Sequence, residues 1–440
     1  MNKLKFINDW SVAGYDDPEY SNTMSMLKLY INNLNLMKNQ DVWSKTIRES
    51  VFVSAYPLAI WLASSWWRLN WEPLPASGRP SLDWRLAHEL GAANHGFVWP
   101  QIIFASDTEM MQVWAVPSNV SDYQSIKYLN RLESPAIITL TDFQRGVENF
   151  ISDVLERLNA MECHSTDLFE LWEIIKEERD DQESFKYRRI EAEMGYDPDE
   201  CPQNLMDKAL ELDQKMGSST LYELAPVYGN SARQNQLSDI EEISESKGIN
   251  GKPEIPNISS YSVTQQDAPW RRAVSAACAL RDEIGQKDLI DNSKLCDLLG
   301  LRISEVEDWS PPKRYDAAIA IPECSNRFKF IPRKKHPIAK RFELARFIGD
   351  FISEQTDGQW LASTDLSTSR QKFQRAFAAE FLCPIARLKE FLQDDYSESA
   401  IEDAAENFQV SQRTVESLLS NNGLIYPSFD DFSAALPYHL

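Results

Sequence analysis

His88 and Glu89 open an H-E-x-x-H pattern. In that pattern two imidazoles one helical turn apart hold a zinc ion, and the carboxylate between them acts as general base. The second imidazole would have to come from position 92, which is Ala92. His95 stands seven residues after His88. On a helix that is about two turns, or roughly 10 Å, too far for one ion held at about 2.1 Å. The pair implies no metal. The cluster Arg85, His88, Glu89 and His95 still motivates one reading of the chain, an enzyme with its active site in residues 1–160. The six cysteines, at 163, 201, 278, 296, 324 and 383, form no C-x-x-C pair. They imply no metal, redox motif or cofactor, and their scatter fits reduced thiols.

A second group of residues points to binding rather than catalysis. Between Ser325 and Phe342 stand seven basic residues and no acid: Arg327, Lys329, Arg333, Lys334, Lys335, Lys340 and Arg341. Arg346 follows. The chain as a whole carries 67 Asp and Glu against 45 Lys and Arg, a net charge of −22, which repels nucleic acid. A local basic run in such a chain is either a solvated face or a surface for an acidic or phosphate-bearing ligand. Nucleic-acid binding through this run is the weakest of the readings. Near the end, residues 401–425 have helix-turn-helix spacing, with Ser411 placed to cap the second helix. Gln412, Arg413 and Thr414 would then form its exposed start. Only Arg413 is basic there, beside Glu402, Asp403, Glu406 and Glu416, so a packing module is the better reading than a DNA reader.

The elements that must position these residues follow from periodicity. Residues 22–37 place Met24, Met26, Leu27, Leu29, Tyr30 and Leu34 at helical spacing, which predicts a helix. The aromatic run 51–73 predicts a strand, with Pro57 opening a turn or helix. Its apolar core is broken by Pro57 and ends at Arg68, too short for a bilayer. Residues 102–117 read as a hairpin and 136–141 as a strand. A helix follows, with Phe143, Val147, Phe150, Ile151 and Val154 on one stripe. The N-terminus lacks the apolar segment of a signal peptide, so a cytoplasmic protein is expected.

The predicted organisation is α+β. It runs as an N-terminal mixed domain (1–160), a helical connector (161–228) and a flexible linker (229–267). A second α+β domain (268–395) and a helix-turn-helix-like module with tail (396–440) complete it. In the second domain the helix APWRRAVSAACALRDEIG and a short helix precede two strands (316–322 and 328–332), then the helix IAKRFELARFIGDFI and the run FQRAFAAEFLCP.

That order resembles the ImmA/IrrE family of metallopeptidases over about 268–428. Arg341-Phe342-Glu343-Leu344-Ala345 is similar to the lead-in of the family's zinc helix, and Gly349 to its glycine. Phe377 to Pro384 is similar to its second helix. The resemblance implies a zincin-like fold in which Arg346 stands at the first His, Phe347 at the general base and Asp350 at the second His. Gln371 stands at the third ligand. All four are changed, so the resemblance implies a scaffold without zinc and without peptide hydrolysis. It also implies that a protein or peptide partner lies along the edge strand beside the old cleft, by strand addition. Family members suggest a bacterial regulatory role, in stress regulation, toxin–antitoxin control or phage defence. The leading expectation is therefore a non-catalytic interaction protein.

Overall fold

The structure is a computed structural model. It describes residues 3–14, 17–76, 79–118, 124–229, 236–258, 268–286, 289–353 and 359–425. Helices and small antiparallel sheets are mixed throughout, as an α+β chain requires. The chain divides into two units, residues 1–74 with 80–202 and residues 75–79 with 203–440. No helix among the described residues is long and apolar enough to cross a membrane.

In the first unit the stretch 22–37 is a strand, not a helix. Met24–Ile31 pairs antiparallel with Leu4–Ile7 on one side and with Val51–Ser54. Leu27, Leu29 and Ile31 are buried while Lys28 and Tyr30 are half-exposed, so the period of two governs and the helical spacing is coincidental. The hairpin is present as Gln101–Ser106 and Met110–Val116, with Ala136–Thr139 added beside it. Thr139 accepts a hydrogen bond from the Asp142 amide and caps the helix Leu140–Ala160. That helix lays Phe143, Val147, Phe150, Ile151 and Val154 into the core. Trp66 and Trp67 are buried in the same core, so much of the high Trp content is interior packing.

The expected connector 161–228 is not one body. Its helices Asp167–Asp180 and Gln182–Glu193 belong to the first unit, where Leu168, Trp172 and Ile175 join the core. Its helices Gln203–Met216 and Ser218–Tyr228 belong to the second. The divide falls at residue 202, just after the Asp197-Pro198-Asp199 break. The expected linker 229–267 is also corrected. Within it Ser238–Glu245 is a helix burying Ile240 and Ile243. Ile249–Gly251 is a strand paired antiparallel with Phe328, Lys329 and Phe330. Both elements are short and polar, so tertiary contacts rather than propensity hold them. Residues 230–235 and 259–267 of the linker lie outside the described residues, as does the tail from 426.

The second unit is built on a four-stranded antiparallel sheet in the order Ile249–Gly251, Arg327–Ile331, Ala318–Glu323, Leu361–Ser363. Two helices pack together on it, Pro337–Ser353, the Arg346 helix, and Ser369–Leu382, the Gln371 helix. Gly349 lets them approach: a Cβ there would lie 2.9 Å from the Phe377 ring, closer than packed carbons come. The helix Pro269–Glu283, the Trp270 helix, packs on the Gln371 helix from the other side. Two capped helices end the described residues. Ser397 caps Glu398–Phe408 and Ser411 caps Gln412–Asn421, the Arg413 helix.

Candidate binding groove

The Arg346 and Gln371 helices bring together the four positions that the resemblance places at a zinc centre. Phe347 is fully buried in the hydrophobic core, edge-on to Phe330 with ring centroids 5.5 Å apart. Asp350 is fully buried and takes Arg370 on both oxygens, Nε to Oδ1 at 2.7 Å and Nη2 to Oδ2 at 2.8 Å. Its Oδ2 also accepts from the Ala362 amide at 3.0 Å. Gln371 accepts from the Thr364 amide at 2.8 Å and donates to the Ala362 carbonyl at 3.0 Å. These residues do not fit a zinc ion. The one carboxylate among the four is committed to a guanidinium, Phe347 is a hydrocarbon ring, and Arg346 is a cation. Among the described residues no group of three or more His, Cys, Asp or Glu side chains could hold a metal.

Arg346 is only 4% exposed. Its Nη2 donates to the Thr364 carbonyl at 2.8 Å, to Gln374 Oε1 at 3.2 Å and to Gln371 Oε1. Its Nε is buried with no partner. No carboxylate among the described residues pairs with it. Burial is the main force pushing its pKa down to about 9, and the neighbouring Arg375 and Arg333 push the same way. A buried guanidinium with neutral partners alone carries an uncompensated desolvation cost.

Arg346 opens onto a groove of about 1210 Å³. The walls come from the Trp270, Arg346, Gln371 and Arg413 helices and from the turn before the Arg346 helix. Seven Lys and Arg line it (Arg271, Arg333, Lys334, Arg346, Lys372, Arg375 and Arg413) against three carboxylates (Glu343, Asp365 and Glu380). The excess of four cations is local, in a chain of net charge −22. Trp270, Val274, Ile338, Phe342, Ile385 and Leu418 supply an apolar lining.

Two of the acids serve Arg333. Its Nε meets Glu343 at 3.1 Å, and its two terminal nitrogens meet Asp365 at 3.0 and 2.6 Å. Burial raises the Asp365 pKa, but the hydrogen bond and charge of Arg333 outweigh it, and the net shift is downward. Arg375 donates from Nη1 to the Leu366 carbonyl at 2.8 Å and pairs with no carboxylate among the described residues. Burial lowers its pKa, and Arg333 and Arg413 add repulsion.

The predicted basic surface is dispersed by the fold. Arg327–Ile331 is an interior strand, flanked on both edges, so the expected strand addition at that edge is closed by the chain's own Ile249–Gly251. Lys329 donates to the Ser244 carbonyl at 2.6 Å. Lys340 is buried and donates to the carbonyls of Val306 at 2.7 Å and Trp309 at 2.8 Å. Arg341 is buried against Asn292 Oδ1 at 2.9 Å and the Ile290 carbonyl. Arg327 and Lys335 are exposed. Only Arg333 and Lys334 of the run line the groove.

Sequence reasoning missed Arg271, Lys372 and Arg375. The signal was present in the spacing of Lys372, Arg375 and Ala379 on one face of the Gln371 helix. The helix-turn-helix spacing is realised, and Arg413 and Thr414 line the groove.

In the first unit, His88 is fully buried, with Nε2 3.0 Å from Glu72 Oε2, Nδ1 2.9 Å from the Phe104 carbonyl, and Trp84 stacked at 4.0 Å. Arg85 pairs with Glu89 at 2.8 Å. His95 Nδ1 lies 3.1 Å from the Tyr20 hydroxyl. The cluster is therefore split three ways: one buried histidine, one ion pair and one histidine at the surface.

Compared with protein-family models, with curated proteins and with solved structures, the chain matches none of them.

Proposed function

We propose that the chain is a non-catalytic interaction protein whose second unit holds an acidic segment of a protein partner in the groove. The observation that carries this reading is Arg346, a buried guanidinium without a carboxylate partner among the described residues, standing in a groove with four excess cations. An acidic segment would supply the missing counter-charge, and the apolar wall of Trp270, Phe342 and Ile385 would take its hydrophobic side chains. The resemblance of the sequence motifs to ImmA/IrrE peptidases fits the same reading, since under it Arg346, Phe347, Asp350 and Gln371 would stand where zinc chemistry needs ligands and a base. On that similarity the role is regulatory, in bacterial stress control, toxin–antitoxin control or phage defence.

The test uses the full chain and a fluorescein-labelled ten-residue peptide rich in Asp and Glu with two aromatic residues. Fluorescence anisotropy is expected to report binding that weakens as salt rises. A basic peptide of the same length should not bind. Equal binding of both peptides, or of neither, overturns the reading. So does stoichiometric zinc that is lost on Asp350→Ala, or cleavage of a protein substrate that follows the zinc.

A further inference from the structure

We propose that Arg346 and Arg375 form a subsite for one phosphoryl group, carried by a peptide segment lying in the groove. The proposal rests on the reading of the groove as a site for acidic segments and names the group its floor selects.

The argument begins with charge accounting inside the groove. Arg333 is satisfied by Asp365 and Glu343. Arg346 and Arg375 have carbonyl and amide acceptors only, among the described residues. They lie close enough for each to feel a neighbouring cation: Arg375 acts on Arg346, and Arg333 acts on both. Asp365 and Glu343 act on Arg346 and Asp365 and Glu223 on Arg375 through space, but among the described residues no carboxylate hydrogen-bonds either guanidinium, and two cations without a bonded counter-ion are costly in a low dielectric. One carboxylate would balance only half of that charge. A phosphomonoester carries about −1.5 to −2 at neutral pH and three strong acceptor oxygens, so it balances both.

Donor geometry agrees. All three hydrogen bonds of Arg346 leave from Nη2, and Nε has none. Among the described residues Arg375 donates only from Nη1. Nitrogens on both forks are left for an oxyanion, and guanidinium forks match phosphate oxygens in pairs. Arg413 and Thr414 line the same groove, so a further cation and a hydroxyl belong to it.

A peptide carrier is favoured over a nucleic acid. Glu343, Asp365 and Glu380 line the same groove and the chain's net charge is −22. Successive backbone phosphates running beyond the groove would meet the chain's negative field, whereas a single phosphoryl group held within the local cationic excess would not.

Isothermal titration of the full chain against one acidic peptide in three forms tests this, with serine, glutamate or phosphoserine at its centre. A 5′-phosphorylated oligonucleotide forms a fourth arm. The phosphoserine form is expected to bind at least roughly tenfold more tightly than the serine form, in line with two added charge-assisted contacts. Glutamate should fall between them. Arg375→Gln should bring the ratio of phosphoserine to serine affinity close to one, weakening the phosphoserine form far more than the serine form. Arg346→Gln should act alike. If it fails to fold, Arg375→Gln alone decides. Equal binding of the phosphoserine and serine forms overturns the subsite while leaving the groove reading in place. So does a preference that survives Arg375→Gln. Absence of binding by all three peptides overturns both. Tighter binding of the oligonucleotide overturns the peptide assignment.

Discussion

Arg370 clasps Asp350 through two parallel hydrogen bonds of 2.7 and 2.8 Å, with Asp350 fully buried and Arg370 8% exposed. Arg370 also donates to the carbonyls of Ser219 at 3.0 Å and Trp360 at 3.3 Å. The pair thus ties the Arg346 and Gln371 helices to the helix Ser218–Tyr228 and to the strand Leu361–Ser363. Removing one partner leaves a buried charge alone, which costs about 3–5 kcal/mol. Arg370→Ala should therefore lower the denaturant midpoint strongly. Asp350→Leu with Arg370→Met should cost much less than Arg370→Ala, because no bare charge remains. Equal losses in urea titrations would show that the ion pair is not what matters there.

Gly349 sets the distance between the Arg346 and Gln371 helices. In Gly349→Ala the new Cβ would meet the Phe377 ring at 2.9 Å, an overpacking that costs about 1–3 kcal/mol. Gly349→Ala with Phe377→Leu should recover part of that loss. Thermal unfolding of the two variants and the parent checks it, and a silent Gly349→Ala would argue against the helix contact.

Arg346 gives a pH signature. Its pKa is pushed down to about 9 by burial, with Arg375 and Arg333 adding to the effect. The folded chain therefore holds this proton less tightly than the unfolded chain does. The charge costs stability below pH 9, and that cost is relieved as pH rises through 9. Arg346→Gln has no such group. The parent should gain stability relative to Arg346→Gln between pH 8 and about 10.5, read from urea midpoints at each pH. A constant difference would mean that Arg346 is solvated or paired.

The strand Ile249–Gly251 is held by close backbone contacts. Gly300 has φ +63°, and a Cβ on it would fall 2.1 Å from the Lys252 carbonyl oxygen. Gly300→Ala should loosen the strand, and hydrogen exchange at Ile249–Gly251 should quicken by at least tenfold, the effect of about 1.4 kcal/mol of local opening. Unchanged protection would show that the strand is seated independently of this turn.

Elements with a long repeated stripe were legible in the sequence. Phe143, Val147, Phe150 and Val154 mark Leu140–Ala160, and Ser411 marks the start of Gln412–Asn421. Met24–Ile31 was misread because Met24, Leu27 and Tyr30 also fit a helical period. Only pairing with Leu4–Ile7 and Val51–Ser54 selects the strand. The stretch from Ser238 to Gly251 was misread because its polar residues give no run, and its apolar few find partners far along the chain. The site was legible in part. Arg346 was singled out by position, but Lys340 and Arg341, adjacent in sequence to true groove residues, turn inward to backbone acceptors. Arg375 shares a helix face with Lys372 and Ala379, but that spacing alone does not say which other elements line the same groove.

The strand Ile249–Gly251 precedes the groove helices in sequence yet forms the edge of their sheet, and Ile249 and Ile258 share one core with Ala273, Leu344 and Phe377. The second unit is thus a chain that supplies its own complementing fragment. A nick between residues 258 and 268 would yield two pieces held by noncovalent packing, with every groove-lining residue on the smaller, C-terminal one. After cleavage at a protease site placed there, the two fragments should co-elute on size exclusion and part only in denaturant. Binding measured on the nicked protein would then report whether recognition depends on chain continuity or on the seated strand alone.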